Sequence, residues 1–237
     1  MSPARERFHR FVDAYVESDA PAAATVYPGL SAEPWYAATR FPVTAALEGA
    51  CAAIRAELAA LPAQRFHREA EPLPRDGSWD VVMLYERGRR DVENCRALPT
   101  LAAILEGYPT LRTLAGLCYV SRLRPGTHVA PHRGPTNLRV RCHLGLSVPK
   151  GDCALRAGGE TRRWVEGKCF VFNDFLEHEA WNRTGSDRIV LVVDLWHPDL
   201  DAEEVHLLAR FQQRILAQAG NLARYWADND RARAAEA

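Results

Sequence analysis

Lysine is nearly missing from this chain, which carries only Lys150 and Lys168, and methionine occurs only twice. Excess charge of either sign is missing too: 30 basic residues balance 30 acidic ones at a sequence pI near 7.1. No basic field is therefore available to hold nucleic acid or an anionic membrane surface. No apolar run reaches the roughly 18 residues that a membrane span needs, and the opening MSPARERFHRF has no hydrophobic stretch like that of a secretion signal. These absences predict a cytoplasmic protein with neither a nucleic-acid nor a membrane partner. The six cysteines (Cys51, Cys95, Cys118, Cys142, Cys153 and Cys169) form no C-x-x-C pair. That pattern argues against a structural zinc site and a disulfide framework, and for reduced, mostly buried thiols. Internal repeats and low-complexity stretches are also absent.

What is present is apolar residue in quantity, 47% of 237 positions, enough for one substantial core with a helical lead-in. Apolar residues recur at helical spacing over 5–19 and 44–60, for example at Leu47, Ala50, Ile54 and Leu58. Tyr27-Pro28-Gly29-Leu30 between them is a turn. A strand is expected at 80–86 and a helix at 97–106, ending near Gly107. From Leu117 onward short alternating strands are broken by turn residues about every ten positions, the pattern of an all-β sandwich or barrel. After Pro198 the helical pattern returns over 201–236. The expected organisation is a helical lead-in with substrate-side loops (1–110), a β core (111–200) and C-terminal helices (201–237), forming one structural domain overall.

The chemistry is concentrated in residues 121–197. Strict alternation over Leu138–Leu146 puts Leu138, Val140, Cys142, Leu144 and Leu146 on one face and Arg139, Arg141 and His143 on the other. If a later hairpin has its turn centred near Arg183, His178 and Arg188, each five residues from that centre, face each other across it. Cross-strand Cβ atoms are about 5 Å apart, so a metal on His178 would lie within a small dicarboxylate's length of the Arg188 guanidinium. A 2-oxoglutarate site needs that geometry, because the keto acid chelates iron at one end and requires a cation for its far carboxylate. Arginine's planar fork suits the second task.

The run G-T-H-V-A-P-H-R-G-P-T-N-L-R-V-R-C-H-L-G-L, followed by W-V-E-G-K, F-N-D-F-L-E-H-E-A-W-N and R-I-V-L-V-V-D-L-W-H-P, resembles the aspartyl/asparaginyl β-hydroxylase family. The upstream pieces Y-P-G-L, P-W-Y and G-R-R-D-V-E-N-C fit it as well, so the resemblance covers roughly residues 25–200. It implies a mostly β protein with flanking helices, built on a double-stranded β-helix (jelly-roll) core with N-terminal and C-terminal helices. It also implies an iron(II)- and 2-oxoglutarate-dependent dioxygenase that uses dioxygen to hydroxylate Cβ of an aspartyl or asparaginyl group in a peptide, protein or free amino acid. By the same resemblance His132 and His178 are the iron ligands. Gly134 stands where the wider fold carries a carboxylate ligand, as it does in this family, and water is expected to fill the gap. Ser121, Arg141, His143 and Arg188 match contacts to 2-oxoglutarate, while Arg75, Trp79 and again Arg141 match the substrate cleft.

Plainer readings exist for several of these residues. A strand histidine is more often a hydrogen-bonded core group than a ligand, and Arg139 is expected on a solvated polar face. His128 is expected to shape a turn, Asp174 and Glu177 to cap or lie on the surface, and Asp194 and His197 to make structural hydrogen bonds. Alternatives for the whole molecule are the same oxygenase acting on another small molecule or an acyl chain, a halogenase that takes chloride at the Gly134 gap, and a non-catalytic β-barrel that binds small acids.

Overall fold

The computed structural model describes residues 2–17, 26–69 and 74–235, with backbone alone at 74–75 and beyond 218. Helix α1 (Pro3–Glu17) is amphipathic, with Phe8, Phe11, Val12 and Tyr15 on one stripe. After β1 (Trp35–Tyr36), the expected helix over 44–60 is two helices, α2 (Pro42–Gly49) and α3 (Cys51–Ala59). The junction is Ala50, at φ −94° and ψ 3°, directly after a glycine that weakens the helix there. The short strands β2 (His67–Arg68) and β3 (Pro74–Asp76) lead to β4 (Trp79–Glu86) and β5 (Arg89–Arg90). Helices α4 (Val92–Ala97) and α5 (Pro99–Gly107) then stand where one helix at 97–106 is expected. Asp91 caps α4 by accepting the Asn94 N–H at 2.8 Å, and Pro99, which lacks an N–H, starts α5 afresh.

Eight strands complete the core: β6 (Leu117–Leu123), β7 (Thr127–His132), β8 (Arg139–Ser147), β9 (Cys153–Ala157), β10 (Glu160–Arg162), β11 (Cys169–Phe172), β12 (His178–Asn182) and β13 (Arg188–Trp196). The long helix α6 (Ala202–Ala235) closes the chain. The strands form two sheets, ordered β1-β11-β8-β13-β6-β4-β2, with β5 on β4, and β10-β9-β12-β7-β3. This is the expected jelly roll with flanking helices. Its sheets also take β1–β5 from the segment read as helical lead-in.

Alternation along β8 sorts the core. Val140, Cys142, Leu144 and Leu146 pack against Leu47, Ile54, Leu101 and Leu105 of the helices behind the larger sheet. The other face of that sheet looks across at the smaller one, and Trp79, Tyr119, Val129, Leu155, Phe172 and Val192 fill the space between them. A third cluster of Phe11, Tyr27, Leu138 and Leu208 ties α1 and α6 to the edge of the core. Five of the six cysteines are buried, and all six are free. Among the described residues no helix is long and apolar enough to cross a membrane.

The 178–196 segment departs from the expected hairpin. Strand β12 pairs with β7 and β9 in the smaller sheet, whereas β13 pairs with β6 and β8 in the larger one. His178 and Arg188 are therefore not cross-strand partners. They line one cavity from opposite walls.

Candidate active site

His132 ends β7 and His178 begins β12, and the two are direct partners in the smaller sheet. Their ring centroids lie 4.1 Å apart. Each Nδ1 donates to the carbonyl two residues earlier, His132 to Ala130 at 2.8 Å and His178 to Leu176 at 2.9 Å. A carbonyl only accepts, so Nδ1 carries the proton and Nε2 carries the lone pair of a metal-ligating imidazole. Burial, reinforced by the neighbouring His132, lowers the pKa of His178 to about 4 and keeps it neutral.

Among the described residues no third histidine, cysteine or carboxylate joins the pair. At Gly134 an ideal Cβ would lie 2.5 Å from Asp174 Oδ2. Asp174 is fully buried, which corrects its expected capping or surface role. Its Oδ2 accepts from Arg139 Nε at 3.0 Å and Nη2 at 2.7 Å, while its Oδ1 is buried without a hydrogen-bond partner. Arg139 is likewise buried, not on a solvated face, because the polar side of β8 looks into the space between the sheets. Arg141 is bound to Asp194 at 2.8 and 3.1 Å, and Arg139 Nη1 reaches the same carboxylate at 3.0 Å. Two cations and two anions thus form a compensated buried network beside the histidines.

Deeper in, Arg188 is in a different state. It is 2% exposed, lies under no carboxylate among the described residues, and its buried Nε has no partner. Its Nη1 donates to Ser121 Oγ at 3.3 Å, and its guanidinium sits 4.6 Å from the centre of the Trp164 ring. Desolvation lowers its pKa to about 10. Ser121 Oγ also accepts from Trp79 Nε1 at 3.0 Å, which leaves its own proton to donate. His143 Nδ1 accepts from Trp164 Nε1 at 3.1 Å, so its proton is on Nε2, and burial beside Arg188 and Arg141 pushes its pKa well down.

The histidine pair, Trp79, Tyr119 and Arg141 stand between two adjoining spaces. The inner one is walled by Ser121, His143 and Arg188. The outer one runs past Arg139 and Asp174 to Glu69 and Arg133. The structure therefore brings together His132, His178, Ser121, Arg141, His143, Arg188 and Trp79. Arg75 falls in β3, and its side chain lies outside the described residues. His128 stands on β7 rather than in a turn, with its ring 2.7 Å from Glu179, and Glu177 is exposed. Asp194 accepts the Leu117 N–H at 2.9 Å, and His197 lies 2.9 Å from the Tyr36 hydroxyl. Sequence reasoning missed Trp164 and the Arg139–Asp174 pair. Alternation alone placed Arg139 on the same face as Arg141, and W-V-E-G-K was a signal for Trp164.

The family model described as aspartyl/asparaginyl beta-hydroxylase matches residues 48–198. The chain is 39% identical over 183 residues to the human "Aspartyl/asparaginyl beta-hydroxylase", covering 74% of this chain and 24% of that protein. It is 36% identical over 182 residues to the "Ornithine lipid ester-linked acyl 2-hydroxylase" of Rhizobium tropici, covering 73% of this chain and 63% of that one. Against the human "Aspartate beta-hydroxylase domain-containing protein 2" it is 40% identical over 133 residues, 54% of this chain and 36% of the other. The chain thus spans about a quarter of the first relative and under two thirds of the others. With the match running through both histidines and the arginine network, the chain belongs to the aspartyl/asparaginyl β-hydroxylase family.

Proposed function

We propose that this protein is an iron(II)- and 2-oxoglutarate-dependent oxygenase that hydroxylates a carbon beside a carboxyl or carboxamide group, as in an aspartyl or asparaginyl unit. The observation that carries the reading is Arg188, a buried cation with an orphaned Nε lining the same space as two lone-pair histidine nitrogens. A desolvated guanidinium without a counter-ion costs stability unless an anion completes it. A keto diacid that chelates at one end and is anionic at the other suits both ends of that space.

His132 and His178 would hold the iron through Nε2. Arg188 would grip the far carboxylate, with the Ser121 hydroxyl and His143 Nε2–H as further donors. Bound iron(II) with 2-oxoglutarate and dioxygen supplies an oxidant able to replace an unactivated C–H by C–OH, releasing succinate and carbon dioxide. Trp79 and Tyr119 wall the junction of the two spaces, where their rings would limit the approach of water to a bound cofactor. Arg141, held rigidly by Asp194, faces the outer space, where it would orient a carboxyl or carboxamide group. The orphaned Asp174 Oδ1 beside Gly134 is an acceptor in want of a donor, which favours water there over chloride.

The test is succinate release from 2-oxoglutarate, read together with binding. His132→Ala and His178→Ala are each expected to abolish succinate formation. Arg188→Met is expected to weaken 2-oxoglutarate binding by about thirtyfold or more, equivalent to ~2 kcal/mol. Undiminished turnover in either histidine variant would remove the ligand pair.

A further inference from the structure

Next to the outer space lies a second, larger cavity of about 300 Å³ that the chemistry above does not use. It is lined mainly by Tyr15 of α1, Leu114, Leu117 and Leu138 of the core edge, and Phe211 and Ile215 of α6. It shares Arg87, Leu117, Pro135 and Arg139 with the space that holds the histidine pair. An occupant of one therefore abuts an occupant of the other. The wall between them is pinned: Arg139 Nη1 donates to the Ala115 carbonyl at 2.6 Å, and the Ala115 N–H donates to Gln212 Oε1 at 3.1 Å. Thr113 holds the same Gln212 oxygen. Apolar side chains on two helices and the sheet edge thus surround a preformed hollow beside a polar reaction space.

We infer that this cavity receives the apolar tail of an amphipathic substrate, an N-acyl amino acid whose carboxyl-bearing head lies at the histidine pair. The inference rests on the oxygenase reading for the head and on the cavity alone for the tail. Polar groups gather at the Arg139–Arg141 end, and the α1–α6 end offers aliphatic and aromatic side chains, which is the division that such a molecule matches. A tail in this hollow replaces water contact by contact with Phe211, Leu138 and Ile215. Each added methylene then tightens binding by roughly fourfold, as expected for ~0.8 kcal/mol per buried CH₂.

The probes are N-acetyl-, N-hexanoyl- and N-octanoyl-L-aspartate, titrated calorimetrically against the full chain loaded with iron(II) and 2-oxoglutarate under nitrogen. Affinity should climb from acetyl to hexanoyl by about a hundredfold or more. In Ile215→Glu, which places a charge in the hollow, the climb should vanish while acetyl binding stays unchanged. Ile215→Trp, which fills the hollow without a charge, should lower the best chain length. Affinity independent of chain length in the unaltered protein would overturn the inference, and so would octanoate binding as tightly as N-octanoyl-aspartate, since the head would then contribute nothing. In a parallel assay in air, which supplies the dioxygen, succinate release with N-acetyl-aspartate but no chain-length effect retains the oxygenase and removes the tail site. A chain-length effect without any succinate release does the reverse.

Discussion

Position 134 is glycine because of what stands opposite it. An ideal Cβ there would lie 2.5 Å from Asp174 Oδ2 and 3.0 Å from the Asp174 carbonyl oxygen. The carboxylate cannot swing away, because Arg139 grips it from one side and the Gly134 N–H donates to the Asp174 carbonyl at 2.6 Å. A side chain at position 134 is therefore opposed by the Asp174 carboxylate, itself already neutralised by arginine. Gly134→Ala is expected to cost about 1–3 kcal/mol through overpacking in a rigid site. Gly134→Asp should bring like charges together and lower stability further rather than rebuild a three-ligand centre. Urea unfolding of both variants reads this directly, and a Gly134→Ala protein as stable as the parent would mean that Asp174 yields.

At the scale of elements, the contrast is between what a periodicity reports and what only pairing decides. Alternation along 138–146 correctly puts Arg139, Arg141 and His143 on one face, because a strand's side-chain period is local. It carries no information on which sheet lies over that face, so Arg139 read as solvated when the smaller sheet buries it. The same limit explains the 178–196 segment: a short connection between two strands looks like a hairpin, but in a jelly roll it crosses from one sheet to the other. The histidines, Ser121 and Arg188 were legible through family motifs, whereas Asp174 needed the three-dimensional neighbour at Gly134 to acquire a role. Helix α6 illustrates a local signal joined to a distant one. Asp201 Oδ1 accepts the Glu204 N–H at 2.8 Å and Glu204 Oε2 accepts the Asp201 N–H at 3.0 Å, a reciprocal cap readable from D-A-E-E. Glu204 is also fully buried, ion-paired to Arg7 of α1 and bonded to the Tyr27 hydroxyl at 2.8 Å. Glu204→Ala should destabilise the protein by about 3 kcal/mol, since it strands a half-buried cation and a buried hydroxyl. Asp201→Ala removes only the cap and should cost about 1 kcal/mol. Equal losses in the two variants, measured by denaturant unfolding, would mean that the α1–α6 clasp adds nothing.

For the whole molecule, buried neutral histidines couple the fold to pH. His143 is held neutral by burial beside Arg188 and Arg141. Burial lowers the pKa of His197 from 6.5 as well, outweighing the opposing pull of the nearby Asp199 carboxylate. In the unfolded chain both rings titrate near their ordinary value of about 6.5. Below that pH the unfolded state binds more protons than the folded one, so stability falls as pH drops. Each ring contributes a slope of up to about 1.4 kcal/mol per pH unit until its own folded-state pKa is reached. Asp80 and Asp199 have lowered pKa values, so their contribution is lost only below about pH 4 and leaves this window clear. Metal-free protein should therefore lose up to about 2 kcal/mol between pH 6.5 and 5.5 from these two rings, with His178 adding to the loss in the absence of metal. His197→Gln should remove one ring's share, and since His197 lines neither space beside the His132–His178 pair, that variant isolates the structural part of the effect. Unfolding free energies that stay flat from pH 7 to 5.5 would show that these rings take up protons as readily in the native fold as in the unfolded chain, and would overturn this reading.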